Sequence, residues 1–161
     1  MVNENVTIEN AQIRFRNFSG TKTEFNKAGN RQFSLFLPED TASILEEAGW
    51  HIKHKPPRNE GDDPRNQMDV TVMFGKYPPI IKLISHDGTE SYLNEENIGI
   101  LDSVDIDHAT VEIRPYNCEV NGKIGVKAYV RELLVYARPP RRALNGGLRN
   151  ETALTAREED F

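Results

Sequence analysis

The sequence predicts a mainly β fold: a small antiparallel barrel with one or two short helices and a flexible C-terminal tail. Three observations lead there. Apolar and polar residues alternate with period two over several short stretches. Asn121-Gly122 separates two long alternating runs, the strongest short hairpin signal there is. From residue 138 the chain becomes Arg138-Pro139-Pro140-Arg141-Arg142 and then Asn145-Gly146-Gly147, a composition that builds no core. A division into a body, 1–137, and a tail, 138–161, follows.

Along the body, Ala11, Ile13 and Phe15 alternate with Gln12, Arg14 and Arg16, a half-buried strand. Val6 and Ile8 have the opposite parity, and a bulge near Glu9-Asn10 reconciles them. Phe18 then falls on the outward face with Arg14 and Arg16. Ser19 to Asn30 is a polar loop turning at Gly20 and Gly29. Gln32 to Leu37 is a strand with Phe33, Leu35 and Leu37 inward.

Pro38-Glu39-Asp40 opens a helix, with proline and acids where a first turn prefers them. Ala42, Leu45 and Ala48 form its buried stripe. Gly49 ends it, and Trp50 folds back on the last turn. Trp50 to Lys55 is a short strand, and Pro56 to Gln67 a loop. Met68 to Phe74 and Ile80 to Ile84 are strands. Leu93 to Leu101 is a short helix or irregular. Ala109 to Val120 and Lys123 to Tyr136 are long strands. Roughly seven strands and one clear helix suit a small barrel or sandwich, with the oligonucleotide-binding (OB) barrel the leading candidate.

The chain has 161 residues, 37% apolar and 28% charged, which suits one globular domain plus a tail. No window approaches a membrane-spanning length, and Met1-Val2-Asn3-Glu4-Asn5 does not read as a signal peptide. The Asn-x-Ser/Thr triplets at Asn5, Asn17 and Asn150 are then chance matches. The single Cys118 leaves no internal disulfide and suits a reducing compartment. The expected location is the cytoplasm.

The formal net charge of −5 argues at first against a nucleic-acid partner. Its distribution argues otherwise. Arg14 to Arg31 holds five basic residues and one acid, while Leu83 to Ile113 holds eight acids and no lysine or arginine. One face can therefore be basic on an acidic whole.

A two-residue turn at Asn121-Gly122 places Tyr116 opposite Lys127, Arg114 opposite Tyr129 and Glu112 opposite Arg131. All six then share one face, because the side-chain period is two. Val111, Ile113, Val126, Ala128 and Val130 take the core face. The outward grid mixes aromatic rings with cations. Exposed bases stack on such rings, and cations follow the phosphates of a single strand. Arg14, Arg16 and Phe18 offer the same mixture on the first strand, and the loop carrying Lys22, Phe25 and Lys27 can close over it. A solvated sheet with cross-strand cation–π pairs would carry the same residues.

Other constellations are weaker. Asp102, Asp105 and Asp107 with Glu112 lack a partner motif and read as a solvated acidic loop. His51 and His54 would point to opposite faces of a strand. There is no phosphate loop, nucleophile elbow or paired acid/base signature. No enzyme activity, cofactor or metal is expected.

A set of short motifs carries a resemblance. They are Asn17-Phe18-Ser19-Gly20, Phe25-Asn26-x-x-Gly29-Asn30-Arg31-x-Phe33, Leu37-Pro38, Gly49-Trp50, Arg114-Pro115-Tyr116-Asn117 and Gly125-x-Lys127-Ala128-Tyr129. Over residues 5–137 the chain resembles single-stranded DNA-binding proteins of tailed bacteriophages, of the OB type. The end Glu158-Glu159-Asp160-Phe161 resembles the acidic, aromatic-ended tips by which such proteins recruit replication and repair enzymes. Arg157 and a basic tether precede it, which departs from that pattern.

The resemblance implies a non-enzymatic role: coating single-stranded DNA and handing it to a polymerase, helicase/primase or recombinase. Arg14, Arg16, Arg31, Arg114, Lys127 and Arg131 would meet phosphates. Phe18, Tyr116 and Tyr129 would stack bases. A homodimer, through an edge strand or the tail, stays open beside a monomer. The alternatives are a phage structural or assembly subunit using the Arg/Tyr face as a protein interface, and a metal-dependent nuclease using Asp102 to Glu112.

Overall fold

The structure, a computed structural model, describes residues 2–22, 29–57, 59–61 and 65–139. In chain order the elements are β1 (Val6–Asn17), β2 (Arg31–Leu37), α1 (Glu39–Glu47), β3 (Lys53–Lys55), β4 (Arg65–Val72), β5 (Ile80–Ile84), β6 (Glu90–Leu93), a 3-10 helix (Ile98–Asp102), β7 (Ile106–Val120) and β8 (Lys123–Ala137). The strands form one sheet in the order β3-β4-β2-β1-β7-β8-β5-β6.

A further pairing, Thr71 of β4 beside Tyr129 of β8 and parallel to it, closes β1, β2, β4, β8 and β7 into a five-stranded barrel. Its other neighbours pair antiparallel. This is the OB arrangement, in which the third and fifth barrel strands meet side by side. β3 extends the sheet beyond β4, and β5 and β6 extend it beyond β8.

The interior follows from strand parity. Phe33, Leu35, Met68, Val70, Val111, Ile113, Leu133 and Val135 are buried, and Ile98 and Leu101 join them from the 3-10 helix. The expected bulge in β1 is present: pairing slips between Ile8 and Ala11, and Asn10 has φ 54°. α1 starts after Pro38 and buries Ala42 and Leu45. Ala48, expected in that stripe, is exposed. Gly49 takes φ 109°, and the Trp50 amide returns to the Leu45 carbonyl at 3.0 Å, so the indole is buried against the helix end.

A second bulge corrects the reading of β1. Phe15 has φ 54°, and the β1–β2 register slips between Arg14 and Asn17. Parity inverts there. Phe15, expected inward, is 61% exposed, whereas Phe18, expected outward with Arg14 and Arg16, is 0% exposed. The Phe18 ring stacks on Phe33 with centroids 5.1 Å apart. Asp102 fixes this corner by accepting the Phe18 amide at 2.7 Å, the Ser19 amide at 3.0 Å and the Ser19 hydroxyl at 2.7 Å. β6 was not legible as a strand, and among the described residues no helix is long and apolar enough to cross a membrane.

β3 is tied to α1 and β4 through His54. Its Nε2 lies 2.9 Å from Glu46 Oε2, and its Nδ1 lies 2.7 Å from Asn66 Oδ1. The hydrogen bond to Glu46, then that to Asn66, raise the His54 pKa above 6.5. A folded-state pKa above the unfolded one means stabilisation that is complete below the unfolded value and fades as pH rises through the folded value. The melting-temperature gap between the protein and His54→Ala is therefore expected to be largest at mildly acid pH and to shrink above it. A thermal-melt series across that range measures this.

Truncating the buried ring in Phe18→Ala is expected to cost about 3–5 kcal/mol, as for other buried aromatics. Urea unfolding of the two proteins provides the value.

Candidate nucleic-acid interface

At the Asn121-Gly122 turn both residues have positive φ, 53° and 79°, as a two-residue type I′ hairpin requires. The turn imposes the expected register: Val120 faces Lys123, Tyr116 faces Lys127 and Arg114 faces Tyr129. The register then slips between Glu112 and Ile113, so Glu112 faces Glu132 and not Arg131. Arg131 is the extra residue of this bulge and is exposed.

The outer face of the hairpin brings rings and cations together. The Arg114 guanidinium carbon lies 5.5 Å from the centre of the Tyr129 ring. The Tyr116 ring stands edge-on to Tyr129, 5.8 Å away at 77°, and is 51% exposed. Lys127 and Arg131 are exposed and form no ion pair among the described residues.

Barrel closure extends this face. Tyr129 lies beside Thr71, and Thr71 beside Gln32, so one row of outward side chains crosses β7, β8, β4 and β2. A cleft of about 360 Å³ opens along it, with Gln32, His51, Asp69, Thr71, Lys127 and Tyr129 in its lining. A second cleft, about 590 Å³, is lined by Lys76, Tyr77, Pro78, Ile80, Val130, Arg114 and Arg131. Among the described residues, three cations and no acid border this second cleft.

The acid in the first cleft, Asp69, is partly neutralised. Burial pushes its pKa up, but hydrogen bonds from Lys53, Gln67 and Ser34 outweigh this and hold it below the usual carboxylate value. The Ser34 hydroxyl and Gln67 amide donate to Oδ1 at 2.7 and 2.8 Å, and Lys53 pairs with the other oxygen.

The remaining sequence-predicted residues divide. Arg14 points outward, 5.6 Å from the Phe36 ring centre. Lys22 is exposed in the loop after β1. Arg16 is not on the face: it is half-buried, and its Nη1 donates to the Leu101 carbonyl at 2.8 Å and to that of Val104. Phe18 is in the core and presents no ring to a base. Arg31 has core-side parity at the end of β2, where Glu95 lies 3.6 Å from its guanidinium and Phe74 lies beneath it.

Lys27, Phe25 and the tip Glu158, Glu159, Asp160 and Phe161 lie outside the described residues. Of the acidic stretch, Asp102 holds the β1 corner, while Asp105 and Asp107 lie 3.6 and 3.8 Å from Arg138. Lys76 and Tyr77 were not picked out from the sequence. The signal was there: a cation beside an aromatic in a Pro-Pro turn, with no acid near it.

A closed OB barrel whose outer face presents rings and unpaired cations is a single-strand nucleic-acid-binding architecture. The chain belongs to the phage ssDNA-binding domain family, whose model matches residues 1–139. No curated protein sequence matches it significantly. Among solved structures it is similar to the single-stranded DNA-binding protein from bacteriophage Enc34, with TM-score 0.53, 12% identity and coverage of 92% of this chain and 89% of that one. The same phage protein in complex with ssDNA gives TM-score 0.52 and 13% identity, over 84% of this chain and 88% of that one. At such identity the likeness is one of fold.

Because Arg16 serves two carbonyls, Arg16→Ala is expected to lower stability by about 1–3 kcal/mol while leaving oligonucleotide affinity unchanged. Denaturant titration and anisotropy of the folded variant check the two halves.

Proposed function

We propose that this protein coats single-stranded DNA without sequence preference and without catalysis. The strand runs along the row of Arg114, Tyr129, Thr71 and Gln32 and into the clefts beside it. Tyr116 and Tyr129 stack bases, while Arg114, Lys127 and Arg131 meet phosphates. Lys22 approaches from the β1–β2 side, and Arg14 contributes from the first barrel strand.

The observation that carries this reading is the group of unpaired cations around two touching tyrosine rings on the outer face of a closed barrel. Family membership supports it. The relative from bacteriophage Enc34 is a single-stranded DNA-binding protein known in complex with ssDNA, in keeping with the same substrate here.

Residues 1–137 then form the DNA-binding body. Residues 138–161 carry the tip Glu158 to Phe161, which recruits a polymerase, helicase/primase or recombinase to the coated strand in phage replication or recombination. The body works in the cytoplasm of the infected cell.

The test is fluorescence anisotropy of a labelled oligo-dT at low and moderate salt. Wild-type affinity is expected to fall with salt at about −0.7 per phosphate neutralised on a log–log plot. Removing one stacking ring is expected to cost about 1–3 kcal/mol, roughly 5- to 150-fold, so Arg114→Ala/Tyr129→Ala loses most binding. A version lacking residues 157–161 keeps it. Absence of binding by the wild type at low salt would overturn the proposal and favour a protein interface on this face.

A further inference from the structure

We propose a second base-stacking station on the same strand path, formed by Phe15 and Phe36 with Arg14 and Arg65. This inference rests on the DNA-binding reading of the Tyr129 row and extends it.

The station is built by the second bulge of β1. Positive φ is uncommon for a bulky non-glycine residue, and it places a large apolar ring in water where Phe18 fills the core instead. The Phe15 ring meets the half-buried Phe36 ring edge to face, with centroids 5.8 Å apart at 65°. Phe36 has outward parity on β2, opposite Gln12 on β1 and Gln67 on β4.

Two guanidiniums flank Phe36: Arg14 at 5.6 Å and Arg65 at 5.8 Å from its ring centre. Neither pairs with an acid among the described residues. Among the described residues Arg14 donates to the neighbouring Ile13 carbonyl alone, and Arg65 Nε is buried without an acceptor. Paired rings between cations that form no ion pair among the described residues repeat the chemistry of Tyr116, Tyr129, Arg114 and Lys127. A polyanion with exposed aromatic bases complements both.

The two stations share one surface. Gln32, beside Thr71 in the Tyr129 row, lies four residues from Phe36 on β2 with the same parity. Two strand spacings and four residues of rise separate Tyr129 from Phe36 by about 16 Å. That is roughly five nucleotides at the stacked rise of about 3.4 Å, and fewer on a stretched strand. Between them lie Thr71 and the Asp69 carboxylate, which is paired with Lys53 and held by the buried Ser34 and Gln67 side chains. A strand can cross this stretch without meeting an unpaired acid.

The experiment compares affinities of the full-length protein for oligo-dT of about four and about twelve nucleotides, the short and long parts of the range OB folds occupy. The variant is Phe15→Asn/Arg65→Gln. Asparagine accepts positive φ, so the ring is removed without new backbone strain. Circular dichroism establishes that the variant is folded.

Wild type is expected to bind the long oligonucleotide at least tenfold more tightly than the short one, beyond the gain from extra starting registers. The variant is expected to lose most of that gain while matching wild type on the short one. A variant that keeps the wild-type gain overturns the second station and leaves the DNA reading standing. If wild type binds neither oligonucleotide, the DNA reading fails and this inference with it. As a second measurement, photocrosslinking to halogenated oligo-dT is expected to label the Phe15 and Phe36 peptides with the long strand only. Absence of that label with a bound long strand overturns the station as well.

Discussion

The barrel depends on a narrow seam. β4 and β8 run parallel and meet at Thr71 and Tyr129. Everything else in the barrel is joined by longer antiparallel ladders. Because the seam is short, the two strands separate beyond it and a cleft opens between them. Because Tyr129 has outward parity, the residue that closes the barrel also stands on the face proposed to bind DNA. Fold closure and the proposed recognition surface are thus one piece of backbone, and a change that splayed β4 from β8 would dismantle both.

The charge distribution follows from how the acids are used. Asp102 is occupied by backbone amides and a hydroxyl, Asp69 pairs with Lys53, Glu95 with Arg31, and Asp105 and Asp107 with Arg138. These contacts hold corners, strand edges and the exit from β8. The cations of the hairpin face have no such partners among the described residues. A chain with a net charge of −5 can therefore offer a face that attracts a polyanion. Exposed ion pairs contribute little stability one by one, so their larger effect here is to decide where positive charge is left over.

The hairpin was legible because Asn121-Gly122 fixes a register locally, and period two then assigns every side chain on both strands until the next bulge. The reading failed at Arg131 and at Phe18 for the same reason. A bulge shifts parity by one, and a bulge in mid-strand has no composition as clear as a turn's. For β1 the sequence held a hint: Phe15 and Phe18 have opposite parity, so an unbroken strand must expose one of them. The burial of Arg16 was not readable either, since its acceptors lie more than eighty residues away in sequence. Phe36 already had outward parity next to Phe33, Leu35 and Leu37, but an isolated aromatic on a sheet says little until Arg14 and Arg65 are seen around it.

β7 and β8 have fifteen residues each, and their distal part projects past the seam as a two-stranded ribbon. Val2 steadies it by exchanging two hydrogen bonds with the Asn117 side chain, while Ile124 and Tyr116 face solvent. Ladder bonds with water close on both sides open more readily than those over a packed core. Within a single hairpin, amide exchange should therefore grade from slow around Val111 and Leu133 to fast near Cys118 and Gly125. Such a ribbon is anchored at one end and compliant at the other, so it can yield to whatever it touches without distorting the barrel that holds it.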